Sequence, residues 1–243
     1  MKLIEAARLE FEYRDRRGRP VYRLGPISLH IESGEFVGIA GKNGVGKSSL
    51  FLLLSRLLWP KRGEVSWATE NLRIGFAFQS FARSLLPWKT VRDNVGFGAR
   101  GARSDELDLL AGAEISQDSY PYQLSGGQQQ IVSIVRAFSM GLDAVFLDEP
   151  FSSLDYDNTL KLARGLKEMK KGLGRAVLLV VHTLELQVLL SDRLLVIGGN
   201  PCRIQAEWVR PPVPSEIEED WEALQAFASA QAADVRAQYD EFI

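Results

Sequence analysis

Two spacings of apolar residues organise the chain. Near the start, Leu3, Ala7, Leu9, Phe11 and Tyr13 alternate loosely with polar positions, and Ile27, Leu29 and Ile31 alternate with Ser28 and His30. Period two belongs to a half-buried strand. Both stretches therefore read as strands, with His30 on the polar face and without a function. The basic run from Arg14 to Pro20 between them reads as a solvated hairpin turn. Unbroken apolar runs come next, Phe36 to Ala40, Ala144 to Leu147 and Ala176 to Val181, and a further strand is expected at Arg193 to Ile197. Such runs suit strands covered on both faces. Short strands are expected at 65–67 and 72–78. Between the strands the spacing changes to threes and fours. Leu50, Leu53, Leu54, Leu57 and Leu58 share one helix face, ended by Pro60 and Gly63. Further helices are expected from the opening at 124–128 to about 139, at about 156–171 and near 184–190. Alternating strands and helices predict a parallel α/β sheet. Residues 80 to about 123 break the alternation, with weak helical patterns near 106–110, and read as a small helical insertion.

Beyond the stiff joint Pro211-Pro212-Val213-Pro214, Ile217, Trp221, Leu224, Ala228, Val235 and Tyr239 recur at helical spacing. The expected helix starts at a capping box of Ser215 and Glu218 and docks on its own domain. Charge marks this tail out. From Pro211 to Ile243 there are eight acidic residues and one arginine, although the whole chain of 243 residues carries only -2. That net charge gives no general attraction to nucleic acid. Hydrophobic content of 46% is enough for a sizeable core. The single cysteine, Cys202, excludes an internal disulfide and suits a reducing compartment. No apolar run approaches the length of a membrane span, and the N-terminus has no apolar signal core. The expected location is cytoplasmic.

Three clusters carry chemistry. The first is GKNGVGKS, Gly41 to Ser48, which lies between a buried strand and a helix. That setting is the one a phosphate-binding loop needs. Glycines let backbone N–H groups turn toward phosphate oxygens, and the helix start adds its positive dipole end. Lys47 is placed to bridge the β- and γ-phosphates, and the Ser48 hydroxyl to bind magnesium. The second is the pair Asp148 and Glu149 at the end of an apolar strand, where ligands of open α/β sheets sit. Asp148 is a candidate magnesium ligand and Glu149 a candidate base that polarises water. His182, at the end of a neighbouring apolar strand, is a candidate to hydrogen-bond the γ-phosphate. The third is LSGGQ, Leu124 to Gln128, a serine and two glycines opening a helix. A second anion cradle in one chain is explained economically if it serves a nucleotide held by another subunit.

Together these motifs resemble the ATPase subunit of an ATP-binding cassette (ABC) transporter, in order and spacing over residues 3 to 205. GKNGVGKS resembles the Walker A motif and Gln79 the Q-loop. LSGGQ resembles the family signature, Ala144 to Glu149 the Walker B motif, Ser153-Leu154-Asp155 the D-loop and His182 the switch histidine. The resemblance implies a P-loop NTPase (RecA-like) α/β core over residues 1–210, with an antiparallel β subdomain and a short helical subdomain inserted at about 80–139. Residues 211–243 form an additional acidic tail. It implies ATP and Mg2+ as cofactors. Nucleotide contacts would come from Gly41, Asn43, Gly44, Gly46, Lys47, Ser48, Ser49 and Gln79. Ser125, Gly126, Gly127, Gln128 and Asp155 would contribute from the signature and D-loop. Tyr13 matches the aromatic that stacks on adenine, with Tyr22 as second choice. Ser48, Gln79 and Asp148 would hold magnesium, and Glu149 with His182 would carry hydrolysis.

The implied partners are a second cassette subunit, identical in the simplest case, and a transmembrane permease on whose cytoplasmic face the pair sits. Gln79 and Leu85 to Trp88 would pass motion to that permease. LLPWKTVRDNV (Leu85 to Val95), Tyr120-Pro121-Tyr122-Gln123 and Asp148-Glu149-Pro150-Phe151 resemble the nitrate/sulfonate/taurine branch of importers. That branch implies uptake of a small anionic or organic solute delivered by an extracytoplasmic binding protein. The chain departs from the family in a short stretch between Gln79 and Ser125, in Ile131 where a basic residue is usual, and in Thr183 after the histidine. A soluble ABC ATPase of repair, translation or cofactor assembly is the main alternative. The 77 residues between Lys47 and Ser125 leave no room for a long coiled coil, and only one cassette is present. An exporter or lipid-transport cassette is a further alternative.

Overall fold

A computed structural model of the chain describes residues 1–77, 84–98 and 109–243, apart from the side chains of 171–173. Its strands and helices in chain order are β1 (Lys2–Arg14), β2 (Pro20–Glu32), β3 (Phe36–Ala40), α1 (Lys47–Leu54), β4 (Arg62–Trp67) and β5 (Ile74–Ala77). Next come α2 (Val91–Gly96), α3 (Gly126–Ser139), β6 (Ala144–Asp148), α4 (Tyr156–Leu173) and β7 (Ala176–Val180). The last are α5 (Leu184–Leu190), β8 (Arg193–Gly198), β9 (Arg203–Val209) and α6 (Trp221–Tyr239). They fall into two compact units, residues 1–72 with 180–243, and residues 73–179.

In the first unit β2, β1 and β4 form an antiparallel sheet. The period-two pattern holds where register matters: Leu9 pairs with Ile27, and both are buried. The basic turn between β1 and β2 is built on Asp15, whose carboxylate accepts the Arg17 and Arg19 N–H groups and the Arg19 guanidinium. β3 is parallel to β8, and every residue of both is buried, as their continuous apolar runs require. β9 pairs antiparallel with β8 and alternates exposed and half-buried positions. Arg203, Gln205 and Glu207 dilute its apolar signal in the sequence. α1 is shorter than its pattern predicts. It stops at Leu54, the Leu57 and Leu58 N–H groups both turn back to the Leu52 carbonyl, and Leu57 is exposed. The turn is pinned by Arg56, which lies over the Trp67 ring and donates to the Val65 carbonyl.

The acidic tail belongs to this unit. Leu224, Ala228, Ala232 and Val235 on α6 are buried in one apolar cluster with Leu184 and Val188 of α5 and Val196 of β8. Its spacing of fours and a three gives one apolar stripe, and the acidic residues at 216, 218, 219 and 222 stay exposed. The expected capping box of Ser215 and Glu218 does not form. Ser215–Ile217 is a single 3₁₀ turn, and Asp220 caps α6 by accepting the Ala223 N–H. Asp220 lies directly before the apolar stripe, so its carboxylate reaches the first free N–H groups.

In the second unit β5 is parallel to β6, with Ile74 opposite Ala144 and Ala77 opposite Leu147, and β7 follows β6 in the sheet. β5 begins at Ile74, two residues after the predicted start at 72, and residue 78 lies outside the described residues. α2 is capped by the Thr90 hydroxyl. Its Asn94 is buried and hydrogen-bonded to the loop at 86–90. α3 buries Ile131, Ile134, Val135 and Phe138. α4 ends on Gly174, whose φ of 57° makes a left-handed cap.

Candidate functional site

In the first unit, buried β3 delivers the chain at Ala40 into the loop Gly41–Gly46, and α1 begins at Lys47. The end of the loop is built around glycine. Gly46 has φ of 113°, and a Cβ there would collide with the Tyr22 phenol. The Tyr22 hydroxyl donates to the Val45 carbonyl at 2.9 Å and so clips the loop to β2. Gly44 has φ of 76° and open space around it. No side chain caps α1, so its first turn presents backbone donors in the manner of an anion site. Lys47 Nζ donates to the Gly41 carbonyl at 2.7 Å and to the Lys42 carbonyl at 3.1 Å, which holds the ammonium over the loop. Gly41, Asn43, Lys47 and His182 line one cavity of about 210 Å³, joined by Gln187 and Ile243. The structure thus brings His182 beside the loop Gly41–Gly46.

Some residues at this site carry no motif. Gln187 is 1% exposed, and its Nε2 donates to the Ile39 carbonyl at 2.6 Å, which braces the strand under the loop. A glutamine inside the apolar face of α5 is the signal that could have found it. The Lys42 N–H donates to the Phe242 carbonyl at 3.0 Å, so the tail reaches the loop. Cys202 is buried next to Tyr22. Burial pushes its thiol up to about 11, opposed by the Tyr22 hydrogen bond and the charge of Lys47. Burial also raises the Tyr22 phenol, and Cys202 adds to that shift. Tyr13 pairs with Tyr22 across β1 and β2 and is 42% exposed, edge-on to Phe11. Tyr13 offers an accessible ring, whereas Tyr22 is engaged with the loop. Ser48 is exposed and Ser49 half-buried at the helix start.

In the second unit, the apolar strand β6 ends at half-buried Asp148, and Glu149 follows with φ of 55°. Ser125 caps α3 in a reciprocal box: its hydroxyl accepts the Gln128 N–H at 3.2 Å and the Gln128 side-chain Oε1 accepts the Ser125 N–H at 3.1 Å. Ser125 and Gly126 are exposed. A Cβ on Gly127 would press on the Leu154 side chain at 3.0 Å, so this glycine lets the turn after β6 close on the helix. Asp155 is exposed and caps α4, accepting the Asn158 N–H at 2.8 Å. Gln79 lies outside the described residues. Among the described residues no three His, Cys, Asp or Glu side chains cluster as a metal site. Magnesium bound with phosphates needs only one or two protein ligands, and a hydroxyl and a carboxylate suit it as hard oxygen donors.

The model of the family described as "ABC transporter" matches residues 24–152, just over half of the chain. The chain belongs to the ABC transporter family. It is an ATP-binding cassette ATPase. The chain is 33% identical over 208 residues to the taurine import ATP-binding protein TauB of Ruegeria pomeroyi, covering 80% of this chain and 77% of that protein. It is 32% identical over 220 residues to the methionine import ATP-binding protein MetN 2 of Salmonella typhimurium, covering 82% of this chain and 64% of that one. Among solved structures it resembles the dimeric post-hydrolysis state of the cassette MJ0796 bound to ADP and Pi. That likeness has a TM-score of 0.69 and 26% identity, over 87% of this chain and all of the other. It also resembles cbiO1 of Clostridium perfringens, part of a cbiONQ transporter complex, with a TM-score of 0.71 and 25% identity over 91% and 92% of the two chains. The ABC cassette fold is therefore the fold of this chain. Among the described residues no helix is long and apolar enough to cross a membrane.

Proposed function

We propose that the chain is the nucleotide-binding subunit of an importer, working as one of a pair of cassettes on the cytoplasmic face of a separate permease. The solute is a small anionic or organic molecule. The observation that carries this reading is the presence of two anion-type helix starts in one chain, the loop before α1 and the exposed Ser125-Gly126 start of α3. One nucleotide needs one such cradle, so the second serves the nucleotide of a partner cassette. The taurine and methionine import relatives support an importer. The exposed Trp88 in LLPWKTVRDNV supports a surface for the permease.

In this reading the loop Gly41–Gly46 with Asn43 and Gly44, the first turn Lys47-Ser48-Ser49, and the ring of Tyr13 bind ATP. Ser125, Gly126, Gly127 and Gln128 contribute to the partner's nucleotide, together with Asp155. Ser48, Gln79 and Asp148 would hold magnesium, which would supply charge neutralisation at the phosphates. Glu149 accepts a proton from the attacking water, and His182 donates a hydrogen bond to the γ-phosphate. Hydrolysis then lets the pair reopen, and the helical insertion passes that movement to the permease.

The test is Glu149→Gln. The variant is expected to bind ATP and form an ATP-dependent dimer in light scattering, with turnover lowered by roughly 10²- to 10⁴-fold. Unchanged hydrolysis would remove Glu149 as the base. Mild-detergent capture of the chain from native membranes is expected to bring down a polytopic membrane protein in equal yield. Soluble partners alone, with the chain absent from membranes, would turn the conclusion to a soluble ABC ATPase.

A further inference from the structure

Gln130 is a polar residue on the buried side of α3, 2% exposed and next to Ile131 and Ile134. A buried primary amide has donors and an acceptor that must find partners. It finds them on the turn that follows β6. Its Nε2 donates to the Glu149 carbonyl at 3.1 Å, and its Oε1 accepts the Ser153 N–H at 3.3 Å. The same Glu149 carbonyl accepts the Ser152 N–H at 3.2 Å, and Leu154 N–H closes on Phe151 at 3.1 Å. One amide therefore spans the turn from its first residue to its fifth.

That turn needs a restraint. Glu149 holds φ of 55°, a left-handed conformation that side-chain-bearing residues avoid. Such a conformation persists only where the surroundings determine it from several sides. Here the determinants are Gln130, the Ser152 N–H and the close approach of Leu154 to Gly127. Backbone φ and ψ at Glu149 set the direction in which its carboxylate leaves the chain. A displacement of α3 would thus reach the carboxylate through a single rigid amide.

We propose that Gln130 is a positioning residue for hydrolysis, holding the Glu149 backbone in its left-handed turn and tying it to the signature helix. The inference rests on the reading of Glu149 as the base. It gives the helix two duties within one subunit. Its start serves the partner's nucleotide, and Gln130, in its second turn, aims this subunit's own carboxylate.

Two substitutions separate this role from simple core filling. Gln130→Met keeps the length and removes both the donor and the acceptor. Gln130→Glu keeps an acceptor for Ser153 but, ionised, has no proton for the Glu149 carbonyl. Each is expected to lower kcat at saturating Mg-ATP by roughly ten- to a hundredfold, the scale of a misplaced reacting group. KM for ATP should stay within about twofold, as for an interaction made in the transition state. Should the Met variant not fold, the Glu variant carries the measurement. The deciding readout is the double variant. Added to Glu149→Gln, Gln130→Met should not lower the residual turnover further, because its effect runs through the missing carboxylate. An unchanged kcat in both single variants overturns the proposal. So does an equal fold-loss in the Glu149→Gln background, which would mark a general structural defect. Full turnover in Glu149→Gln alone removes the base assignment itself and the proposal with it.

Discussion

Asn94 touches no nucleotide in the proposed mechanism, yet its replacement is expected to be among the costlier single changes in the second unit. It is fully buried, and its Oδ1 accepts the Leu86 N–H at 2.8 Å. Its Nδ2 faces the carbonyls of Leu86, Lys89 and Thr90, each at 3.0 Å. Two amide protons serve three acceptors, so one bond is shared. Asn94→Leu keeps the branched heavy-atom shape, adds some volume and removes every one of these bonds. Leaving the Leu86 N–H without its acceptor costs about 1–3 kcal/mol, and the two bonds lost to carbonyls about 1 kcal/mol each. The added apolar contact offsets about 1 kcal/mol. The balance is a loss of about 2–4 kcal/mol, against a total stability of about 5–15 kcal/mol. For a chain of this length a 3 kcal/mol loss lowers the melting temperature by about 6–12 °C. Urea unfolding followed by circular dichroism measures the global loss. Hydrogen exchange at 86–90 reports whether it appears as local opening of that loop instead. A loss below about 0.5 kcal/mol with unchanged exchange would show that water replaces the amide at no cost, and would refute the reasoning. In the proposed importer the variant should keep basal ATP hydrolysis while transport driven by it falls, because this loop presents Trp88 to the permease.

Leu224→Ala in α6 should cost about 2–5 kcal/mol in urea unfolding, since Leu224 is 3% exposed within the cluster on α5 and β8; a tail that is not part of the folded unit would give no change. The Cys202 thiol, raised to about 11 by burial, should hold a smaller thiolate fraction at pH 8 than an unburied cysteine. Its labelling by a thiol reagent in the native chain should therefore be slow, accelerate only as pH climbs toward 11, and become fast in denaturant. Rapid native labelling at pH 8 would contradict a buried thiol behind Tyr22.

Local pattern determined much of this protein. The unbroken apolar runs of β3, β6, β7 and β8 can be satisfied only by burial on both faces, and burial is what they have. The loop from Gly41 to Ser48 is legible because its conformation is set by its own glycines and by the strand and helix at its ends. The same holds for the caps at Ser125 and Asp155, each closed within three residues. Tertiary structure decided what depends on partners far away in the chain. β9 alternates too weakly to declare itself and becomes a strand through its pairing with β8. Asp220 rather than Ser215 starts α6, because the helix begins where its stripe meets α5. Gln187 under Ile39, Tyr22 on Val45, Phe242 at Lys42 and Gln130 under Glu149 are ordinary residues by type. Each is placed by hydrogen bonding to backbone between 19 and 200 positions away. Short-range spacing encodes the conformation of a segment, but a bond across such distances exists only once burial has chosen which segments meet.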